Sequence, residues 1–184
     1  MNRMTRGICV LLVAGCGGQA AQDQQAAAGG ETPAAARVSA CEVLPMAEVA
    51  SVIGTAVQRT EPHEVVDPSD NSPNPRYMTS CTYISERGQG LMTNTLTLRR
   101  SPETRDPATA LNQYVEGVRR EVGEYSLEPV AELSPGAGWH AETTTLYVYR
   151  PGWMISMAMD RNAPSPLDGA KQLTAKALEK LPGA

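Results

Sequence analysis

The sequence contains no phenylalanine, two tryptophans and two histidines. It has no Cys-x-x-Cys pair and no Gly-x-Ser-x-Gly motif, so these redox and serine-hydrolase signatures are absent. Basic residues are also few, with 16 Lys and Arg against 20 Asp and Glu. An acidic chain fits neither nucleic-acid binding nor a polybasic grip on anionic lipid. We therefore expect no nucleic-acid partner, and no motif calls for a cofactor.

No apolar run in the sequence is long enough to span a membrane. Residues 7–14, Gly-Ile-Cys-Val-Leu-Leu-Val-Ala, form an apolar run of eight residues. A membrane-spanning helix needs roughly 20. Arg3 and Arg6 precede this run, and a small Ala-Gly pair and Cys16 end it. Basic residues, a short apolar run and small residues in this order are typical of a secretory signal.

The segment that ends at Cys16 resembles a bacterial lipobox, in which the cysteine becomes the lipidated first residue of the mature protein. The resemblance implies an exported protein, anchored by diacylglyceryl and palmitate-type acyl chains on the membrane face away from the cytoplasm. Stable anchoring takes about two chains or more, which Cys16 would carry. Gly17 replaces the Asp that retains lipoproteins at the inner membrane, so it would permit outer-membrane sorting in a Gram-negative host. The alternative is an ordinary signal peptide that is cut elsewhere.

The rest of the chain divides by composition. Residues 17–40 are rich in Ala, Gly and Gln without an apolar period, which predicts a flexible tether. A coil of this length spans about 27 Å root-mean-square. We expect a signal peptide at 1–15, the lipidated cysteine and tether at 16–40, and a single globular domain at 41–184. Without the signal peptide the net charge is near −6, from 14 basic and 20 acidic residues.

The four cysteines can each be given a role. Cys9 leaves with the signal peptide, Cys16 takes the lipid, and Cys41 and Cys81 remain. An even pair in an exported domain predicts a disulfide. A closed loop of about 40 residues would stabilise the fold by about 3–4 kcal/mol. The alternative is a metal or redox pair, although no histidine lies close in sequence to either cysteine.

Apolar spacing and capping residues predict three helices. Residues 45–53 form the first helix, with Pro45 in its first turn and Gly54 at its end. Asp106 caps the second helix, whose apolar positions are Leu111, Tyr114, Val115, Val118 and Val122. The third helix begins after a Ser165 cap, and its apolar positions are Ala170, Leu173, Ala177, Leu178 and Leu181.

Alternating patterns predict five strands: Ser80–Ser85, Leu91–Arg99, Glu128–Glu132, Trp139–Tyr149 and Trp153–Met159. Residues 58–78 carry four prolines and predict a long exposed loop, with one short strand near Val57 or Val65. The glycines at 136 and 138 are expected to supply positive φ in a turn. The predicted fold is therefore α+β in the order α-β-β-α-β-β-β-α. Its antiparallel sheet has about five strands, with the helices packed on one side.

Short motifs carry a family resemblance. They are Cys-Glu-Val-Leu at 41–44, Ile-Gly at 53–54, Ser-Cys-Thr-Tyr at 80–83 and Gly-Ala-Gly at 136–138. In these motifs the domain resembles the small uncharacterised Cys…Ser-Cys-Thr-Tyr lipoproteins best known from actinobacteria, some of which are similar to PsbP-like sandwiches. This chain has Trp139 where that family often has Asp. The resemblance implies fold and location, and it lends no catalytic residues.

The two histidines are the candidates for metal or acid–base chemistry. His63 lies between Glu61 and Glu64, but Pro62 breaks the helix that a zincin-like pair needs. His140 would share one face of a predicted strand with Glu142. A solvated loop at His63 and a surface salt bridge at His140 are the alternatives. We predict no catalytic residue and no metal ligand.

Tyr147, Tyr149 and Trp153 are the candidate binding residues. They flank the Pro-Gly turn at 151–152, where exposed aromatic side chains would anchor an interface. The alternative is a buried layer under the last helix. The methionines of the last strand are expected to fill the core.

Together these observations predict a membrane-anchored envelope lipoprotein whose domain is a non-catalytic binding or accessory module. Its partner would be an envelope protein, a glycan or a small ligand. The alternative is an envelope hydrolase or metal-dependent enzyme that uses His63 or His140 with nearby carboxylates.

Overall fold

The computed structural model describes residues 37–66, 76–87, 90–100 and 105–182. The predicted signal peptide, Cys16 and residues 17–36 of the predicted tether lie outside the described residues. So do residues 67–75 of the predicted loop and residues 88–89 of the turn after β3. The helices are α1 (Ala40–Val43), α2 (Met46–Ile53), α3 (Pro107–Val122) and α4 (Pro166–Lys180). The strands are β1 (Val57–Arg59), β2 (His63–Val66), β3 (Tyr77–Arg87), β4 (Gly90–Arg100), β5 (Glu128–Pro129), β6 (Ala137–His140), β7 (Thr145–Arg150) and β8 (Trp153–Ala158).

The strands form one sheet of eight strands in which each pairing is antiparallel. Its order is β1-β3-β4-β8-β7-β6-β5, and β2 pairs with β3 next to β1. The predicted α+β class and the antiparallel sheet are confirmed. The predicted count of about five strands is wrong, and so is the predicted element order, because the chain follows α-α-β-β-β-β-α-β-β-β-β-α.

Two of the additional strands, β1 and β2, contain Val57 and Val65, near which one short strand was predicted, and they extend into the predicted loop 58–78. Both pair with the outer edge of β3, where Arg59 lies opposite Tyr83 and His63 lies opposite Ser80. Between these two pairs, three residues of the segment that joins β1 to β2 lie opposite two residues of β3. This arrangement is a β-bulge. The bulge contains Pro62, whose missing N–H is tolerated at such an edge. Pairing with a long neighbouring strand thus overrides the local proline signal.

A second difference divides one predicted strand in two. Residues 139–149 fold as β6 and β7, which are joined by a turn in which Thr144 N donates to Ala141 O at 3.3 Å. Thr144 has a φ of 48°, which is uncommon for a β-branched residue. The predicted strand 128–132 also ends early, at Pro129.

Because side chains alternate across a strand, the sheet has two distinct faces. Face 1 carries the core and packs against α1, α2 and α4. Its fully buried strand residues include Leu96, Leu98, Leu146, Val148, Ile155 and Met157. Face 2 carries Tyr147 and Tyr149, and it packs against α3 through the ring of Tyr114. The expectation that the helices pack on one side is therefore wrong, because α3 meets the side chains that alternate with the core.

The helix ends follow the predicted capping residues. Asp106 Oδ2 accepts a hydrogen bond from Thr109 N at 2.9 Å, and Pro107 begins α3. Gly54 ends α2 in the left-handed region with φ 80°. Ser165 occupies the cap position of α4, but its side chain makes no cap hydrogen bond. None of the four described helices has the length and apolarity that a membrane span requires.

The predicted disulfide between Cys41 and Cys81 is present, with the two Cα atoms 5.1 Å apart. It joins α1 to the centre of β3 on face 1. Tyr83 Oη donates to Leu44 O beside it, and Arg59 Nη1 donates to Cys41 O at 3.1 Å. A helix of four residues is not stable alone, so these contacts hold α1 in the core.

Candidate functional site

Helix α3 lies close against face 2 because two glycines leave room for it. A β-carbon at Gly136 would lie 2.5 Å from Pro107 O, and one at Gly138 would lie 2.8 Å from Leu127 Cβ. Neither glycine has a positive φ, so the expected turn role is wrong. Close packing explains both glycines, because any β-carbon would push away the start of α3 or the segment that follows it.

Four tyrosines meet between α3 and β7, and we call Tyr114, Tyr125, Tyr147 and Tyr149 the tyrosine cluster. The ring centroid of Tyr114 lies 5.1 Å from that of Tyr147, 6.2 Å from that of Tyr149 and 6.3 Å from that of Tyr125. Such ring pairs contribute about 0.5–1.5 kcal/mol each beyond their burial. His140 extends the cluster, since its ring stacks on Tyr125 at 4.5 Å.

Backbone contacts fix two members of the cluster in place. Tyr149 N donates to Gly136 O at 2.9 Å, and Tyr149 O accepts from Ser134 Oγ at 3.2 Å. Tyr125 O accepts from Arg119 Nε at 2.7 Å, just beyond the end of α3. The rings therefore project from backbone that is anchored on both sides of the cluster, as a precise binding surface requires.

The environment of Tyr114, Tyr125 and Tyr149 raises the pKa of their hydroxyls. Burial raises the pKa of Tyr114 to about 12, and the neighbouring Tyr147 hydroxyl adds to this rise. Burial also raises the pKa of Tyr125 and of Tyr149. At neutral pH these phenols can donate hydrogen bonds, but they are not phenolate nucleophiles or bases. Tyr125 Oη is buried next to the hydroxyls of Tyr114 and Tyr147.

A groove of about 250 Å³ lies beside the cluster, next to the β7–β8 turn, and we call it the inner groove. Its aromatic wall includes Tyr149, whose Oη donates to Met154 Sδ at 3.1 Å. Its polar wall includes Arg105, whose Nη1 donates to Gln113 Oε1. The groove is lined by Arg105, Ala110, Gln113, Tyr114, Tyr149, Arg150 and Trp153.

A second groove of about 310 Å³ lies on the opposite flank of α3, and we call it the outer groove. Its apolar lining includes Leu111, Val115, Leu127, Pro129, Pro135 and Ala137. Of these two grooves, the inner one combines aromatic rings with guanidinium and amide groups. Such a mixture of apolar surface and a few polar groups is typical of small-molecule sites.

The structure brings together two of the three predicted binding residues. Tyr147 and Tyr149 share face 2, whereas the side chain of Trp153 lies on face 1 and is 2% exposed. Its ring contacts Tyr77 at 6.0 Å, and the guanidinium of Arg100 lies 5.0 Å above it. Trp153 borders the inner groove without joining the cluster, and the binding role of the three residues stays a prediction.

Tyr114 and Tyr125 were not among the predicted binding residues. Tyr114 occupies an apolar position in the repeat of α3, which indicates packing and gives no sign of which strand it meets. Tyr125 follows Gly123, whose φ of 88° ends the helix and redirects the chain towards β6. A glycine five residues before the next strand pattern was the available signal for this change of direction.

The two histidines lie far apart. His63 is exposed on β2 and His140 lies on β6, so they are five strand positions, or about 24 Å, apart. His140 Nδ1 lies 2.8 Å from Thr143 Oγ1, and Glu142 is an exposed turn residue. The predicted pairing of His140 and Glu142 along one strand is therefore wrong. Across the described ranges, no three His, Cys, Asp or Glu residues are grouped closely enough to hold a metal ion.

Comparisons with protein-family models, with curated protein sequences and with solved structures gave no match to this chain.

Proposed function

We propose that this chain is a lipid-anchored lipoprotein of the bacterial envelope, and that its domain is a non-catalytic binding module. The observation that carries the anchoring is the ordered series of Arg3 and Arg6, the apolar run 7–14, and the small pair before Cys16. The same series supports export, with the domain on the membrane face away from the cytoplasm.

Two further observations support this location. The disulfide between Cys41 and Cys81 suits an exported domain, because cytosolic proteins seldom keep such bonds. The motifs around these cysteines, at 41–44 and 80–83, also support membership in the small lipoprotein family that the domain resembles. Gly17 supports sorting to the outer membrane in a Gram-negative host.

The binding role is supported by the tyrosine cluster and the inner groove. Tyrosine is enriched where proteins bind partners, because its ring supplies contact area and its hydroxyl supplies hydrogen bonds. The enzyme alternative needs a histidine beside carboxylates in a cleft. His63 and His140 lie about 24 Å apart on the sheet, and neither lines the inner groove.

Replacing Cys16 with alanine should move the protein from the membrane to the soluble exported fraction. The change removes the lipid acceptor, and it leaves Ala-Gly-Ala, a small-residue pattern that a signal peptidase can cut. We would express the full-length chain in a bacterial host and measure its distribution after carbonate washing and detergent-phase partitioning.

The matched control is Cys9→Ala, which changes a cysteine of the predicted signal peptide and should leave the protein in the detergent phase. Retention of Cys16→Ala in the washed membranes, at the wild-type level, would contradict anchoring through Cys16.

A further inference from the structure

Beyond α3, face 2 of the sheet continues as a polar surface beside the inner groove, and we call this surface the floor. α3 packs on β6 and β7, and the sheet then extends through β8, β4 and β3. Hydroxyl side chains line this floor, and two of them, Thr82 Oγ1 and Thr95 Oγ1, lie 3.1 Å apart. The half-buried hydroxyl residues of the floor are Ser80, Thr82, Thr95, Thr97 and Ser156. The side of α3 and this uncovered part of the sheet therefore meet along one edge of the helix.

One row of the floor places a cation beside the tyrosine cluster. The strand register aligns Met78, Arg99, Met154 and Tyr149 across face 2. Tyr149 Oη donates to Met154 Sδ, so this side chain leans over Met154 towards β4 and Arg99. Arg99 is exposed, and no carboxylate belongs to its row. The side chains of Arg99 and Tyr149 therefore lie on the same face of the sheet as α3.

The electrostatics of the tyrosines agree with this placement. Burial raises the pKa of Tyr114 and of Tyr149, and the positive charge of Arg99 opposes that rise at both hydroxyls. Arg99 therefore lies within electrostatic reach of both residues. A ligand anion between Arg99 and these tyrosines would meet a full positive charge beside protonated phenols.

We propose that the inner groove binds a six-membered ring that carries a carboxylate, with the ring against Tyr114 and Tyr149 and the carboxylate extending to Arg99, which lies outside the groove lining in the same row as Tyr149. An arginine matches a carboxylate because its planar fork can make two parallel hydrogen bonds. Gln113 adds an amide to the opposite wall. The proposal rests on the binding function proposed above, since it names the ligand class of that module.

The size of the groove selects a single ring. Its volume of about 250 Å³ lies below the roughly 300–1,000 Å³ of sites for drug-sized ligands. Arg105 and Arg150 also line the groove, but their Nη1 atoms already donate to Gln113 Oε1 and to Leu178 O. The carboxylated ring can come from a sugar acid or from an aromatic acid, and the test separates these sources.

The test is an NMR titration of the full mature chain in detergent with D-glucuronate, benzoate and D-glucose. We expect saturable shifts with millimolar dissociation constants for at least one carboxylate, and binding of glucose that is weaker by about tenfold or more. Tighter binding of glucuronate than of benzoate would identify a sugar acid, and the reverse order would identify an aromatic acid.

The variant Arg99→Gln should weaken the binding of the preferred carboxylate by about tenfold or more, because it removes the charge and keeps an amide. The matched control is Arg161→Gln, an exposed arginine beyond the opposite end of β8, and its affinity should equal that of the wild type. Arg99 is exposed, so an unchanged thermal unfolding midpoint should confirm that its variant folds.

Three results would overturn the proposal: no saturable shift with either carboxylate in the millimolar range, glucose that binds as tightly as glucuronate and benzoate, or an unchanged affinity in Arg99→Gln. The outcome is independent of the anchoring test. The soluble Cys16→Ala protein should bind the carboxylate with the wild-type affinity, and failure of binding would leave the membrane distribution of Cys16→Ala unaffected.

Discussion

Replacing both Cys41 and Cys81 with alanine should lower the free energy of unfolding by about 4 kcal/mol. The bond closes a loop with a sequence separation of 40, and without it the unfolded chain regains the conformational entropy of that loop. The native state should lose order as well, because the bond holds the four-residue helix α1 against β3. Urea unfolding followed by tryptophan fluorescence measures the change.

The control for this prediction is the double variant with and without a reductant. Reductant should destabilise the wild type towards the level of the variant, and it should leave the variant itself unchanged. A loss below about 1 kcal/mol in the double variant, with a wild type that is insensitive to reductant, would show that the disulfide contributes little to the free energy of unfolding.

The second large effect is expected for Gly136→Ala, which should cost about 3 kcal/mol, the upper part of the usual range for overpacking. The new β-carbon would lie 2.5 Å from Pro107 O and 2.6 Å from Pro107 C. Both are backbone atoms of the first turn of α3, so the helix itself has to move. Urea unfolding measures the loss, and the chemical shifts of Tyr114 and Tyr149 report the displacement of α3 from face 2.

The matched control is Gly117→Ala, within α3. A β-carbon there has nothing within 4 Å, and alanine is the better helix former by about 0.5–1 kcal/mol. We therefore expect Gly117→Ala to stabilise the protein. Equal stabilities for the two variants would contradict the close contact between Gly136 and Pro107.

Local signals predicted the parts of the fold that depend on local chemistry. Asp106 and Pro107 marked the start of α3, and Gly54 marked the end of α2. The pairing of Cys41 with Cys81 followed from counting the cysteines of a chain that was predicted to be exported. Caps, turns and cysteine pairs act over a few residues or through composition, so a single sequence can show them.

The elements that were predicted only in part depend on partners that are distant in sequence. β1 and β2 are strands because β3 offers its edge to them, although Pro62 interrupts the local pattern. The side of the sheet that α3 covers depends on Gly136 and Gly138, whose meaning is visible only when Pro107 and Leu127 lie against them.

The division of the predicted aromatic patch could have been found from the sequence. A two-residue turn at 151–152 places Arg150 opposite Trp153 and Tyr149 opposite Met154. Trp153 therefore has to face away from Tyr149, because paired residues share a face. The same register rule, applied across β4 and β8, places Arg99 in the row of Tyr149. This step requires the order of the strands in the sheet.

The most direct test of the central claim, anchoring through Cys16, is the intact mass of the mature wild-type protein extracted from membranes. Our account predicts a chain that begins at Cys16 and carries a diacylglyceryl group on its thiol, with or without a further acyl chain on its amine. A mature chain that begins at another residue, or one with an unmodified Cys16, would contradict the account.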